Sequence, residues 1–588
     1  MRIDRFHTGC SVAGLTLALA TSAGLAQQAV EPVLLIEHAD ASAWMQSEHD
    51  AGLARAFGML PARLAELPRE IDDIGPDEIG MIQLALQMLA QRGTVAVTYN
   101  EADPSGGAFG YGVVFEKALD GPQQAVQLDL LAQRAIDEAD GAFVPEASER
   151  FPGLTEIQTP GALVSYGSTM VGDKSVYRVI AGSVSDADVG RGMLPEAFVD
   201  GVDTVVRGTL NLAALTPGVR MGQAMAGEEG RAISPVLGKL VEAGLLGEDA
   251  IRVDFFAGYA DGHSISGAHM HNARKFMDFF RIPDSPLTAK DFAAIPASAD
   301  LAQMVRLDLG FANALLDHAA DLGAPIDDVL EDVQEEIGLD IRGDLLEAIG
   351  GTLAVYTAEA SGEPFIALFE IKDRAAFGRF ESSMHDLIAS AKDRLDMPAR
   401  YVQVDAWEHA GRALKTLRFP GLPVPAELTY AVVDDWIVLA PTAQGAVFAA
   451  NQAEGKGDAG LLANVSLEQF MPSRSDMLSF TFYDTPERMG EAYPIVSLAG
   501  AAIGNAMRSP HGSGDGGDRN PGMVIPPLAE VAEGARPIVQ YSWIEGDAYR
   551  VLSTGDESLA VNVMGQTGGS LNGMVTQIIS GIVTSANR

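Results

Sequence analysis

The sequence predicts an α+β fold of tandem duplicated units, each a twisted antiparallel sheet with amphipathic helices packed on one face. One reason is an internal repeat: the strand-like segment GTVAV at 93–97 returns as GTLAV at 351–355. Another is that paired strand-like segments follow in both copies, at 162–183 and 428–441. Hairpins joined through helices are typical of antiparallel sheets, whereas a strict strand–helix alternation would favour a parallel one.

The clearest helix is predicted over 326–337. Ile326, Leu330, Val333 and Ile337 recur at helical spacing and form an apolar stripe. The opposite side is acidic, with Asp327, Asp328, Glu331, Asp332, Glu335 and Glu336. We interpret this acidic run as the solvated face of a helix that packs on its sheet.

The order of segments predicts the domain organisation. Short strands at 33–37, 304–308 and 477–481 each lead into a helical region. The predicted parts are a signal peptide (1–26), a first α+β repeat (27–297) with an added hairpin (251–272), a second α+β repeat (298–470) and a shorter third piece (471–588). That third piece contains a hairpin turning at 545–547, a flexible Gly/Asp loop (509–522) and a C-terminal helix near 574–583.

The first 26 residues have the pattern of a cleavable secretion signal. Arg2 and Arg5 precede an apolar run at 12–23, and Gly24 and Ala26 place small residues before a cut at Gln27. That run is shorter than the roughly 20 residues needed to span a bilayer. We therefore predict export, to the periplasm or the extracellular space. The only cysteine, Cys10, lies in this segment, so the predicted mature chain has none.

The charge balance excludes one class of partner. The 588 residues contain 80 acidic and 40 basic side chains, a net charge of −40. Such a field repels polyphosphate, so we predict no nucleic-acid partner. The apolar stretches after residue 26 are short and interrupted, and we predict no transmembrane segment in the mature chain.

A histidine-rich hairpin at 251–272 is the candidate metal site. Its Asp261-Gly262 turn predicts a register that pairs Asp254 with His269 and Arg252 with His271. Asp254, His269 and His271 would then share one face, where two histidines at alternate positions could ligate zinc or iron. The alternative is a solvated face on which His269 and Asp254 form an ordinary cross-strand charge pair.

Other motifs for chemistry are weak. The loop at 511–520 has acidic side chains that could hold Ca²⁺, but their spacing does not match an EF-hand. No nucleophile, zinc-protease, phosphate-loop or dinucleotide motif is present. We therefore predict no catalytic residues and no cofactor, with zinc or calcium left as alternatives.

Two motifs of the second repeat carry a resemblance to a known family. They are the GGTLAV strand at 350–355 and the FEIKDR step into a helix at 369–374. With the duplicated layout, they make the chain from Pro32 to Ser553 resemble the DUF3352-type family of large exported proteins of planctomycete-like bacteria. The resemblance implies the fold and the exported compartment, and it implies no activity, because the family has none assigned.

Three functions stay open from the sequence. The first is a non-enzymatic exported envelope protein, a binding or scaffold module whose repeated sheets offer a surface to an unknown protein or hydrophobic ligand. The second is a metal-dependent hydrolase that uses Asp254, His269 and His271. The third is a periplasmic carrier that holds a lipid or another hydrophobic ligand between sheet and helices.

Overall fold

A computed structural model describes residues 32–39, 91–99, 110–138, 143–159, 162–184, 194–260, 263–394, 403–418, 427–485, 498, 527–531 and 536–555. The predicted signal peptide, the Gly/Asp loop and the C-terminal helix lie outside these residues. The chain divides into two compact units. The first contains the described strands up to His271, and the second consists of Asn272–Glu491 with Ala535–Asp556.

The first unit is built on an antiparallel sheet. Its strands are β1 (Pro32–His38), β2 (Gly93–Tyr99), β3 (Tyr111–Ala118), β4 (Glu146–Ala147), β5 (Thr155–Gln158), β6 (Leu163–Val171), β7 (Lys174–Gly182), β8 (Asp203–Asn211), β9 (Arg252–Ala260) and β10 (His263–His271). Across the sheet they follow the order β4-β5-β6-β7-β3-β2-β1-β8-β9-β10.

The second unit repeats this plan. Its strands are β11 (Ala299–Arg306), β12 (Ile349–Ala358), β13 (Ile366–Ile371), β14 (Gln403–His409), β15 (Arg412–Arg418), β16 (Glu427–Val433), β17 (Trp436–Ala440), β18 (Ser479–Tyr483), β19 (Ile538–Glu545) and β20 (Ala548–Thr554). Their order is β14-β15-β16-β17-β13-β12-β11-β18-β19-β20, which is the order of the first sheet strand for strand.

The pairing revises the predicted division into domains. Strands β18, β19 and β20 fall within the predicted third piece (471–588), yet β18 pairs with β11 of the second repeat. They complete the second sheet as β8, β9 and β10 complete the first. The hairpin at 251–272, predicted as an addition to the first repeat, is therefore the counterpart of the hairpin formed by β19 and β20.

Matching rows of core side chains align the two sheets residue by residue. In the first, Leu35, Ala96, Val114 and Ile180 lie opposite one another on four adjacent strands. In the second, the corresponding row is Met304, Ala354, Leu368 and Val438. All eight side chains are buried. Because the segments GTVAV and GTLAV contribute Ala96 and Ala354, the sequence repeat corresponds to the central strands.

The helices of the described residues lie mostly between strands. They are α1 (Pro122–Glu138), α2 (Thr216–Met225), α3 (Gly227–Ala232), α4 (Ser234–Glu242), α5 (Ala273–Phe279), α6 (Ala289–Ala293), α7 (Gly310–Asp321), α8 (Ile326–Ile337), α9 (Arg374–Arg394), α10 (Ala443–Ala453), α11 (Val465–Glu468) and α12 (Leu528–Val531). The predicted acidic helix is confirmed as α8, with Asp327, Asp328 and Glu331 exposed and Leu330 half-buried. Within the described part of the chain, none of the helices combines the length and apolar character needed to cross a membrane.

The α+β class with antiparallel sheets and packed helices is confirmed. The prediction of helices on one face does not describe the second unit, where helices cover both faces of the sheet. Helix α10 buries Ala446, Ala449 and Ala450 in a core cluster with Leu368 and Val438. Helix α9 places Phe377 and Phe380 against Phe369 and Ile437. These two strand residues are next to Leu368 and Val438 along β13 and β17, so they point to the opposite face of the sheet. One helix therefore packs on each side.

In the first unit, the two faces of the sheet are covered differently. The row around Leu35 and Ile180 is covered by Phe151 and Leu154 from the segment between β4 and β5. On the other face, Ile136 of α1 packs with Tyr166 and Tyr177.

Candidate functional site

The predicted histidine hairpin forms with the predicted register. His269 pairs with Asp254, His271 with Arg252 and His263 with Ala260. The hydrogen bond to the carboxylate nevertheless runs diagonally: His271 Nε2 lies 2.7 Å from Asp254 Oδ2. Arg252 Nη2 donates to the same oxygen at 2.8 Å, and the rings of His269 and His271 stack at 3.9 Å.

Asp254 is the carboxylate that a metal would need as a ligand, and it already accepts hydrogen bonds from Arg252 and His271. Burial raises the pKa of Asp254, but hydrogen bonds from neighbouring side chains, including Arg252 and His271, outweigh burial and lower the pKa below its usual value. A cation placed there would meet the Arg252 guanidinium, 3.3 Å from His271 Nε2. No cluster of three or more His, Cys, Asp or Glu side chains suited to a metal occurs among the described residues.

The histidine face is less solvated than the sequence indicates. Phe198 packs edge-on against Phe256 and against His269, with ring centroids 5.0 and 5.9 Å apart. The carboxyl-bearing side chain of Asp254 is only 12% exposed. The prediction of a solvated hairpin face therefore holds only in part, because a side chain from the segment before β8 covers it.

An apolar cavity of about 220 Å³ lies between α9 and the second sheet. Its wall combines Phe377, Phe380 and Met384 of the helix with side chains of six strands, among them Phe369, Leu417, Leu428, Ile437 and Leu439. On β13, β16 and β17 the wall residues alternate with the buried core residues Leu368, Ala431 and Val438, so they lie on the opposite face of the sheet from that core.

Polar groups gather at one place on this cavity. Glu381 Oε1 accepts a hydrogen bond from the Tyr430 hydroxyl at 2.9 Å. The same oxygen forms an ion pair with Lys415 Nζ at 2.8 Å. Burial, followed by the Glu381 charge, raises the pKa of Tyr430, so its hydroxyl keeps its proton and donates. The cavity therefore combines an apolar body with one polar end.

Each unit also has a charged cleft at the same end of its sheet. The first cleft, of about 320 Å³, is lined by Glu37, Arg92, Thr94, Glu116, Lys174 and Arg207 together with apolar side chains. The second, of about 280 Å³, includes Ser285, Arg306, Asp308, Gly351, Glu370 and Lys372 in its lining. The two sets occupy matching strands: Glu37 pairs with Thr94 as Arg306 pairs with Thr352.

Ion pairs organise both clefts. In the first, Glu37 binds Arg92 through one carboxylate oxygen and Arg207 through the other, the latter at 2.8 Å. In the second, Glu370 Oε2 accepts from the Thr352 backbone N–H at 2.9 Å and from Arg306 Nη1 at 3.1 Å. Neither cleft was predicted from the sequence, because the charges belong to separate strands and meet only through the sheet register.

The chain matches no protein-family model, no curated protein and no solved structure.

Proposed function

We propose that the chain is an exported, non-enzymatic binding protein whose second unit holds a small molecule with an apolar body and one polar end. The apolar cavity between α9 and the sheet carries this proposal. Concave sites lined mainly by apolar and aromatic side chains, with a few placed polar groups, are typical of small-molecule binding. Export remains a proposal based on residues 1–26.

The cavity volume limits the size of the ligand. An apolar cavity of about 150 Å³ accepts benzene, and this one measures about 220 Å³. A single substituted aromatic ring or a short acyl segment fits that space. A full-length lipid chain would have to extend out of the cavity, so we favour a compact amphipathic molecule over a membrane lipid.

The polar end indicates how the ligand is oriented. Glu381 uses one carboxylate oxygen for both Tyr430 and Lys415. A hydroxyl or amine of the ligand would find an acceptor in Glu381, which lines the cavity together with Tyr430. The apolar part of the ligand would then lie against Phe369 and Leu439, where it needs no hydrogen-bond partner.

The first unit differs from the second in the space between helix and sheet, which favours ligand binding by the second unit only. On the matching face of the first sheet, Tyr166 and Tyr177 pack with Ile136 of α1 in a buried cluster. The Tyr177 hydroxyl donates to Asp129 of the same helix at 3.1 Å. Large aromatic side chains thus fill the space between helix and sheet in that unit.

A binding assay with a cavity-filling variant tests the proposal. The purified full chain would be titrated by calorimetry with 4-methylphenol, a single aromatic ring with one polar end. In Leu417→Trp the larger ring fills the cavity, and we expect binding to weaken at least tenfold. Val329→Trp is the matched control, because Val329 lies exposed on α8.

Native mass spectrometry of protein purified from its own host gives a second readout. A co-purifying small molecule that disappears in Leu417→Trp and persists in Val329→Trp supports the proposal. Equal probe binding by the wild type and both variants would contradict it, as would a bound metal with hydrolytic activity lost in His271→Ala.

A further inference from the structure

The cleft of the first unit is a positively charged site in a strongly acidic chain. Arg92, Lys174 and Arg207 line it with two carboxylates, Glu37 and Glu116. A fourth cation, Arg178, binds Glu116 with its Nε 2.8 Å from the carboxylate. The three cations and two carboxylates of the lining leave a local charge of +1, and Arg178 pairs with one of those carboxylates, whereas the whole chain carries −40.

The arginines are held in place with donors to spare. Among the described residues, hydrogen bonds to Glu37 use one N–H of Arg92 and two of Arg207. A guanidinium has five N–H donors in a rigid fork. Glu37 therefore fixes both groups side by side and leaves most of their donors for another acceptor, which is the preorganisation that oxyanion recognition requires.

The site is also open to solvent on its cationic side. The Arg92 side chain is 50% exposed, while the Glu37 side chain beneath it is 13% exposed. Lys174 is exposed, and among the residues that the structure describes it has no ion-pair partner. An entering ligand would meet the cations before the carboxylates.

We propose that this cleft binds a small dianion whose oxygens accept from Arg92, Arg207 and Lys174. Its volume of about 320 Å³ suits a phosphate group or a short dicarboxylate. The matching cleft of the second unit does not share this property, because its two lining cations, Arg306 and Lys372, pair with its two lining carboxylates, Glu370 and Asp308. The two repeats thus have clefts at matching positions of their sheets, and the two clefts differ in charge.

Isothermal titration calorimetry of the full chain at low ionic strength tests the site with two probes, inorganic phosphate and succinate. We expect one dianion per chain, and affinity that falls with added salt because screening weakens the attraction. Arg92→Gln removes a charge-assisted donor and should weaken binding about tenfold. Lys174→Gln should weaken it as well, and its exposed position leaves folding intact.

Arg418→Gln is the matched control. It removes the same charge from an arginine that is 43% exposed on the second sheet, where it pairs with Asp405. Loss of binding in the first two variants and not in the control supports the proposal. Absence of binding by both probes to the wild type overturns it, and so does binding that both cleft variants retain at full strength.

Discussion

Glu37 and Arg306 occupy the same position in the two sheets and carry opposite charges. Glu37 pairs with Thr94, and Arg306 pairs with Thr352 of the repeated strand. Each lies two residues along its strand from a buried core residue, Leu35 or Met304. The duplication therefore preserves the backbone and the core rows, while the side chains at the sheet end have diverged to give clefts of different charge.

Glu37→Gln should destabilise the first unit at neutral pH by about 1–2 kcal/mol, because two arginines lose a charged acceptor. Burial raises the pKa of Glu37, but Arg92 and Arg207 together lower it below its ordinary value. A lowered folded pKa means that the contribution is present above the unfolded pKa and is lost as pH falls through the folded value. Urea unfolding of both proteins from pH 7 to pH 3 measures the difference.

The exposed pair of Glu427 and Arg418 is the control for this prediction, with side chains 46% and 43% exposed. Glu427→Gln should change the unfolding free energy by less than about 1 kcal/mol, as exposed pairs usually do. If Glu37→Gln showed an equally small change, or a difference that grew at acid pH, the ion pairs would not hold the cleft together.

Gly351→Ala should destabilise the second unit by about 1–3 kcal/mol. Gly351 has a φ of 104°, and an added Cβ would collide with the Glu370 carboxylate. The methyl group would also push Glu370 away from Arg306, so the loss combines backbone strain with a broken ion pair. Gly362→Ala is the control, because Gly362 has a φ of 64° and open space around it. If the unfolding temperature falls by the same amount in both variants, backbone strain alone explains the loss and the Glu370–Arg306 ion pair does not contribute.

The sequence predicts the repeated strands, the helix at 326–337 and the register of the histidine hairpin, because each depends on local periodicity or turn chemistry. It does not show that β18 to β20 complete the second sheet, since β11 and β18 pair across more than 170 residues. Long-range pairing leaves no local pattern, so a boundary at 471 divides one sheet.

The sites escape prediction for a related reason. The cavity depends on the volume left between α9 and side chains such as Leu428 and Leu439. Residue type alone does not reveal that volume, because the first unit fills the same face with Tyr166 and Tyr177. The cover that Phe198 provides for His269 likewise comes from a segment about 70 residues earlier in the chain.

Asp254→Asn separates a structural role of the histidine hairpin from a metal site. The charged acceptor of Arg252 and His271 would be lost, and we expect about 1–2 kcal/mol of destabilisation at neutral pH. Because the pKa of Asp254 is lowered in the folded chain, this contribution is lost as pH falls through the folded value. Elemental analysis of the purified wild type should find no stoichiometric zinc or iron. One metal per wild-type chain, absent from Asp254→Asn, would instead support the hydrolase alternative.

The wild type should become more stable as the pH rises above 8, and Lys117→Met should remove this increase. Lys117 is 3% exposed, its Nζ lies 2.5 Å from His38 Nε2, and it donates to the Gln91 carbonyl at 3.0 Å. Burial lowers the pKa of Lys117 to about 8.

A charged Lys117 is therefore penalised in the folded chain, and the penalty disappears as the amine loses its proton. Between pH 8 and the unfolded pKa near 10.4, the unfolding free energy of the wild type should gain about 3 kcal/mol relative to Lys117→Met. Lys174→Met, an exposed lysine of the same sheet, should follow the wild type. Parallel stability curves for the wild type and Lys117→Met over this range would show that Lys117 titrates at its ordinary pKa in the folded chain.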